Sequence, residues 1–112
     1  MKPIDINKMD EEKIENRKGV NHRIVCDGKT TNQNFEFIFS RQDKGGHGQL
    51  HNHPHSEHVL MVTEGQLTLS NETETHVLNA GQGVYIDIGE YHQVDNTFDG
   101  DTHYIVVYSP PR

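Results

Sequence analysis

The sequence predicts an all-β fold, an antiparallel double-sheet jelly roll or small barrel. Short runs rich in β-branched and aromatic residues recur at a spacing of about ten residues, and Gly, Asn or Asp residues separate them. No helical periodicity occurs between these runs, so parallel βαβ units, which need a crossover helix, are not expected. The chain has 112 residues, which is enough for one domain. Antiparallel strands that close into a barrel satisfy these observations together.

Strand patterns occur along most of the chain after about residue 20, and eight or nine short strands are expected. The clearest are residues 23–26, 35–39, 59–62, 66–69, 75–78, 84–86 and 104–108. Residues 35–39 alternate with period two, which places three phenylalanines on one face, and this face is expected to pack in the core. Residues 45–48 contain three glycines and are expected to be a loop.

The first 20 residues differ from the rest in being polar and charged. They predict an N-terminal arm over residues 1–20, followed by a barrel domain over residues 21–112. Residues 10–18 could form a short helix, but the apolar face would be small, so a mobile or loosely docked arm is expected. The alternative is an arm that pairs with a neighbouring subunit. The segment lacks the apolar core of a secretory signal, and the single Cys26 cannot form an internal disulfide, so a cytoplasmic location is expected.

Charge and hydrophobicity limit the partners. The chain has 10 basic and 17 acidic residues, a net charge of −7, and no basic stripe that would favour nucleic acid. The longest apolar run, residues 104–108, is far shorter than the roughly 18 residues of a membrane span. Neither nucleic acid nor membrane is expected as a partner, which leaves a small-molecule substrate or ligand.

Histidine is unusually frequent, with nine in the chain and four of them between residues 51 and 58. If His51 and His53 lie on one strand, their side chains point to the same face and could hold one metal ion. Pro54 should end that strand, and Glu57 or His58 should begin the next one close to the same ion. Residues 81–96 form a second segment with a glycine-assisted turn before a lone histidine, His92.

These two segments resemble the two motifs of the cupin superfamily over about residues 20–112. In the first, His51 and His53 match the family's His-x-His, with Gly46, Pro54 and Gly65 in the expected neighbourhood. In the second, the matching positions are Gly81, Gly89, His92 and Asn96, while Asp87 stands where proline is expected. The resemblance implies a jelly-roll barrel with one divalent metal ion per chain, which could be Mn, Fe, Zn or Ni.

The family's conserved Glu position is ambiguous in this chain. Counting forward from His53 gives Glu57, whereas counting back from Gly65 gives His58. A shift of one residue on a strand reverses the face, so only one of the two is expected to be a ligand. The favoured set is His51, His53, His58 and His92, which is similar to that of manganese cupins with four histidines. Glu57 remains the alternative ligand.

Other residues are candidates for a pocket or for proton transfer. Gln49 lies two residues before His51, so its side chain is expected to face inward as well. Arg41 could hold an anionic substrate or be a solvated residue at a strand end. Core positions should also line the pocket, so the predicted pocket residues are Gln49, Arg41, Phe37, Leu60 and Val62. Catalytic candidates are Glu57, His55 and Tyr91, although His55 could be a rim group and Tyr91 could only pack. The remaining histidines, His22, His47, His76 and His103, are expected at the surface.

Three functions are compatible with the resemblance. The favoured hypothesis is a dioxygenase-like oxidoreductase that uses Mn or Fe on a small organic substrate. The second is an isomerase or lyase in which the metal acts as a Lewis acid on a sugar acid, with a nearby side chain moving a proton. The third is a binding protein without turnover. A homodimer is expected, because an open sheet edge on a small β protein needs cover.

Overall fold

The computed structural model describes all 112 residues and contains nine strands and one short 3-10 helix. The helix, η1, spans Ile6–Lys8. The strands are β1 Glu12–Lys13, β2 Lys18–Cys26, β3 Glu36–His47, β4 Glu57–Glu64, β5 Gln66–Ser70, β6 Thr75–Asn79, β7 Gly83–Ile86, β8 Gln93–Asn96 and β9 Thr102–Ser109. The predicted all-β class and antiparallel barrel are confirmed. None of the helical segments is long and apolar enough to cross a membrane.

All strand pairs are antiparallel, and together they form one curved sheet that nearly closes into a barrel. The order along the sheet is β6-β5-β8-β3-β9-β4-β7, with β2 on β3 and β1 on β2. Strand β3 is the central element, because it pairs with β2, β8 and β9. It is 12 residues long and runs through the glycine-rich segment that the sequence predicted as a loop.

The inner and outer faces of β3 are the reverse of the prediction. Ile38, Ser40 and Gln42 are fully buried inside the barrel, whereas Phe37 and Phe39 alternate with them on the outside and are half-buried. A period of two shows that a strand has two faces but does not show which one points inward. The inner face of β3 combines the apolar Ile38 with polar side chains, of which Gln42 lines a cavity.

The outward phenylalanines belong to a continuous apolar patch across three strands. Register places Phe37 beside Val107 and Val107 beside Val59, and it places Phe39 beside Ile105. We call these five residues the outer apolar face. Val59 is 42% exposed, and the other four are half-buried.

The apolar core lies on the inner faces of the strands. It is a cluster of ten buried residues, namely Ile38, Leu60, Val62, Leu67, Leu69, Leu78, Ile86, Tyr104, Val106 and Tyr108. Buried side chains occupy every second position of β4, β5 and β9, with leucine and valine on β4, leucine on β5, and tyrosine and valine on β9. This packing holds the two ends of the sheet around the histidine-bearing segments.

The N-terminal residues fold back onto the barrel and form no α-helix over residues 10–18. Strand β1 pairs with β2, which begins at Lys18. Glu11 accepts hydrogen bonds from Arg41 at 2.9 and 3.0 Å. This arginine lowers the pKa of the Glu11 carboxyl, chiefly through its hydrogen bonds. The expected mobile arm is therefore an attached segment in this structure, while its status as a separate unit stays a prediction.

Candidate metal centre

Two of the four predicted ligands are joined by backbone hydrogen bonds. The amide of His51 donates to the carbonyl oxygen of His92 at 3.0 Å, and the amide of His92 donates back at 2.9 Å. The pair is an isolated bridge, not part of a longer strand. The sequence expectation of a regular strand through His51 and His53 is corrected accordingly. Their ring centroids lie 4.3 Å apart.

The same two rings are oriented by backbone carbonyls. Nδ1 of His51 lies 2.8 Å from the carbonyl oxygen of Gln49, and Nδ1 of His92 lies 2.9 Å from that of Glu90. A carbonyl oxygen only accepts, so each Nδ1 carries the proton and donates it. The lone pair of each ring is then on Nε2. This is the arrangement by which neighbouring groups fix the tautomer of metal-binding histidines.

His53 and His58 complete a group that we call the histidine cluster: His51, His53, His58 and His92. His53 lies in the turn after the bridge, where its carbonyl accepts the amide of Gly89 at 3.0 Å. His58 is on the inner face of β4 and is only 3% exposed. The centroid of the His58 ring lies 5.2 Å from that of His53 and 4.9 Å from that of His92.

The cluster has the donor chemistry of a metal site. The ring nitrogens of His51, His53 and His92 include a set that all lie within 4.8 Å of one another. Nε2 of His53 and Nδ1 of His58 are buried and have no hydrogen-bond partner. Buried nitrogen atoms without partners are costly, and a bound cation could satisfy such lone pairs. Neutral imidazoles suit Zn, Cu, Fe and Ni. The nitrogens of His51, His53 and His92 therefore fit one divalent transition-metal ion, and the His58 ring lies beside them.

Burial keeps the four rings neutral. Loss of hydration is the largest cause in each case, and it lowers the pKa of His51 to about 4 and those of His53 and His58 to about 3. The pKa of His92 is lowered for the same reason. The rings also disfavour one another's positive charge. Neutral imidazole is the form that binds metal, so the lone pairs are available throughout the neutral pH range.

A small cavity of about 30 Å³ lies beside the cluster inside the barrel. Three cluster histidines line it together with polar and apolar residues: Arg17, Val20, His22, Gln42, Gly48, His51, His58, Leu60, His92, Val94, Tyr104, Val106 and Tyr108. No carboxylate is among them. The ring of Tyr108 packs against His53 and His58 at centroid distances of 4.9 and 4.6 Å. Burial raises the pKa of Tyr108 and that of Tyr104, so both hydroxyls stay protonated.

A second depression, of about 80 Å³, reaches His92 from the outside. It lies between the ends of β5 and β6 on one side and β7 on the other. Its polar side chains include Glu74, His76, Glu90 and Tyr91. The catalytic candidate Tyr91 is thus near the cluster, but its ring is 54% exposed at the surface.

Several predicted site residues lie away from the cavity. Glu57 is exposed on the outer face of β4, one position before His58, and His55 is exposed in the preceding turn. Gln49 is exposed, and only its backbone oxygen contacts the cluster. Arg41 points away from the cavity towards Glu11. The placement of Gln49 corrects the expectation of an inward-facing side chain, because no regular strand runs through residues 49–51 and its parity does not hold there. Arg41 is paired at the surface and His55 lies in a turn, as their alternative interpretations expected.

The remaining predicted pocket residues divide between the outside and the inside. Phe37 lies on the outer apolar face, so its expected place in the pocket is corrected. Leu60 is buried and lines the cavity, and Val62 is buried in the core next to it. The strand parity of β4 was therefore predicted correctly for residues 58–62.

Nine residues that line the cavity were not predicted as site residues, and five of them have polar side chains: Arg17, His22, Gln42, Tyr104 and Tyr108. His22 was expected at the surface, yet it is only 4% exposed and faces inward on β2. Alternation of Val20, His22 and Ile24 was the available signal, but the strand was predicted to begin one residue after His22. Arg17 carries no sequence signal, because it reaches the cavity only through the folding of the N-terminal segment.

Comparison with known proteins agrees with this geometry. The family model described as "Cupin domain" matches residues 38–108. A curated polyketide synthase CurC from Streptomyces cyaneus is 37% identical over 60 residues, which cover 54% of this chain and 39% of that protein. The match therefore spans well under half of that relative.

Two solved structures have the same fold. The polyketide cyclase RemF from Streptomyces resistomycificus superposes with a TM-score of 0.88 at 22% identity, covering 100% of this chain and 81% of that chain. A predicted oxalate decarboxylase from Thermotoga maritima has a TM-score of 0.88 at 19% identity, covering 97% and 99%. At these identities the likeness concerns the fold. The family match over most of the barrel, together with the paired histidine motifs, shows that this chain belongs to the cupin family.

Proposed function

We propose that this protein is a metal-dependent enzyme that acts on a small, oxygen-bearing organic molecule by Lewis-acid chemistry. The observation that carries the proposal is the convergence of four neutral imidazoles beside an enclosed cavity without a carboxylate. When bound, a divalent ion there would keep its full positive charge and would polarise a carbonyl or carboxylate oxygen. The similar proteins named as a polyketide cyclase and a predicted oxalate decarboxylase support this substrate chemistry, since both names describe substrates rich in such oxygens.

The protein's own residues have distinct parts in this proposal. The Gln49 and Glu90 carbonyls hold the His51 and His92 rings in the tautomer that presents Nε2 to the ion. Tyr108 covers two of the rings and excludes water from them. The hydroxyls of Tyr104 and Tyr108 stay protonated, so neither acts as a base at neutral pH. The Tyr104 hydroxyl donates to Oε1 of Gln42 at 3.5 Å, which leaves the Tyr108 hydroxyl as the donor for a substrate oxygen.

The oxidative hypothesis uses the same cluster. In a Mn- or Fe-dependent dioxygenase-like reaction the same histidines would hold the ion, which would supply redox chemistry towards dioxygen and the substrate. The cavity chemistry favours the Lewis-acid reaction, because the Tyr108 hydroxyl and the His22 ring can supply hydrogen-bond donors around a developing oxyanion. The third hypothesis is a protein that binds its ligand without turnover, and the assays of ligand binding and product formation described below distinguish it.

The first experiment measures the metal content of tag-free protein and of two variants. We expect about one transition-metal ion per chain, a loss of at least tenfold in metal affinity for His58→Gln, and no loss for His76→Gln, a surface histidine. Equal metal binding by His58→Gln and the wild type would contradict a site that includes His58.

Oxygen uptake then separates the reaction types. A metal-loaded protein that converts a carbonyl or carboxylate substrate at the same rate with and without dioxygen supports the Lewis-acid proposal. Substrate-dependent oxygen consumption would replace it with the oxidative reaction. A ligand that raises the unfolding temperature but forms no product would identify a binding protein.

A further inference from the structure

The cavity beside the histidine cluster has a second group of polar residues that the proposed metal centre does not use. Arg17, His22 and Gln42 line the cavity from the N-terminal segment, β2 and β3. His51 and His92 reach the same cavity from the bridge, and His58 reaches it from β4. Histidines of the cluster thus line one part of the cavity, and the side chains of Arg17, His22 and Gln42 line another.

Arg17 is distinctive because its charge is not neutralised. Each of the other three arginines pairs with a carboxylate: Arg23 with Glu11 at 3.5 Å, Arg41 with Glu11 at 2.9 Å and Arg112 with Glu36 at 2.9 Å. Arg17 forms no ion pair, although acidic residues outnumber basic ones in this chain. An arginine left unpaired at a cavity wall in an acidic protein is available for an anionic ligand.

The positive charge of Arg17 acts on most of the imidazoles around the cavity. It contributes to lowering the pKa of His22, His51, His53 and His92, and the charge of Arg112 contributes at His22, His51, His53 and His58. Loss of hydration is the larger cause in each case. An anion placed in the cavity would face this charge in a site that is largely shielded from water, where charge–charge attraction is strong.

His22 is the second part of this subsite. Its side chain is buried, with 4% exposure, and its Nδ1 atom has no hydrogen-bond partner. Buried polar atoms in folded proteins are nearly always paired, so an unpaired one that faces a cavity indicates a missing partner. The neighbouring Gln42 side chain already donates to the carbonyl oxygen of Val94 at 3.2 Å, which fixes its orientation.

We propose that Arg17 and His22 form a subsite that binds the carboxylate group of a small organic acid beside the histidine cluster. The planar fork of the guanidinium matches a carboxylate with two parallel hydrogen bonds, and His22 can donate a further one. The enclosed volume of about 30 Å³ favours a group as small as a carboxylate. This inference deepens the proposed function by naming the substrate class, and it rests on that function only for the reaction that follows binding.

The test measures binding to metal-free, full-length protein, so it does not depend on the metal centre. Pyruvate is the probe, and its uncharged methyl ester and inorganic phosphate are the comparison ligands. Binding is followed by NMR titration, which gives the dissociation constant and the change in the His22 ring signals. We expect pyruvate to bind, the ester to bind at least tenfold more weakly, and the His22 signals to shift.

The variants separate a specific contact from general charge. Arg17→Gln is expected to weaken pyruvate binding about tenfold or more, because it removes a charge-assisted hydrogen bond. Lys18→Gln removes the same charge one residue further along, at an exposed position, and is expected to change binding less than twofold. His22→Phe keeps a ring of similar size and is expected to weaken binding severalfold. Arg17→Lys keeps the charge but loses the fork, so an intermediate value is expected.

Three results would overturn the subsite. They are equal pyruvate affinity in Arg17→Gln and wild type, equal losses in Arg17→Gln and Lys18→Gln, and phosphate binding as tight as pyruvate binding. Failure of the proposed function has a different signature. A protein that binds no transition metal but still binds pyruvate through Arg17 would retain the subsite and lose the metal-dependent reaction.

Discussion

Replacing Asn96 with alanine is expected to destabilise the barrel more than any comparable change at the surface. Asn96 is 7% exposed, and its Nδ2 group donates to three carbonyl oxygens, those of Gln42 at 2.9 Å, Asp43 at 2.9 Å and Gly100 at 2.8 Å. Its Oδ1 atom accepts the amide of Phe98 at 3.0 Å. The side chain thereby ties the end of β8 to β3 and to the loop before β9.

The magnitude follows from these contacts. The amide group has two hydrogens, so the three carbonyls share two full hydrogen bonds. The Oδ1 atom accepts from Phe98 and also from the hydroxyl of Thr102 at 2.9 Å, whose one hydrogen is shared with the carbonyl oxygen of Gln66 at 3.0 Å. Between three and four largely shielded hydrogen bonds at roughly 1 kcal/mol each give an expected loss of about 3 to 4 kcal/mol. This is a large share of the roughly 5–15 kcal/mol that stabilises a typical domain.

Asn71→Ala is the matched control. Asn71 also makes several side-chain hydrogen bonds, to Thr73, Glu74 and Tyr91, but they are exposed in a turn. Water can replace them, so a loss of about 1 kcal/mol or less is expected. Urea unfolding of metal-free protein gives the free energy of unfolding of each variant. If Asn96→Ala loses no more stability than Asn71→Ala, burial does not set the value of these bonds and the reasoning fails.

Three further predictions concern protons, metal and assembly. In metal-free protein the pKa values of the histidine cluster lie below the value of about 6.5 in the unfolded chain. The unfolded chain therefore binds protons first, so the free energy of unfolding is expected to fall as the pH drops from about 6.5 towards 3. Urea midpoints that do not change with pH over this range would contradict the prediction. Zinc at 100 times its dissociation constant should raise the free energy of unfolding by about 2.7 kcal/mol. The measurement is a higher urea midpoint that EDTA reverses, and an unchanged midpoint would argue against metal binding by the folded state. A homodimer is expected to use the outer apolar face, so sedimentation of the wild type should show a dimer. Val59→Lys should separate this dimer, whereas Val77→Lys, at an exposed position of β6, should leave it intact. A monomeric wild type would refute the prediction.

Local features of the sequence were sufficient for the fold class and for the histidines of the candidate site. Period-two apolar runs with glycine and asparagine between them predict antiparallel strands, because this pattern depends only on neighbours along the chain. The spacing of His51, His53 and His92 also carried the family resemblance. The structure brings these three residues together, and their role as metal ligands stays a prediction.

The choice between Glu57 and His58 needed the strand register. The two residues are adjacent, so one faces the cavity and the other faces outward, and the sequence pattern allowed either arrangement. Pairing of β4 with β7 and β9 places His58 inside, opposite Ile86 and Tyr108. The same rule explains the error at Phe37, where hydrophobicity favoured the wrong face.

Arg17 and His22 line the cavity contrary to the prediction for both residues, and their placement there depended on tertiary structure. Arg17 belongs to a polar segment that looked like a mobile arm, and His22 lies in a strand whose start was misplaced by a few residues. Both enter the cavity because β1 pairs with β2 and β2 pairs with β3. Strands, a barrel and a histidine-rich segment follow from local periodicity and spacing, so they could be predicted without the structure. The tertiary structure decided which side chains face that centre, because hydrogen-bond register between distant segments sets the face of every residue.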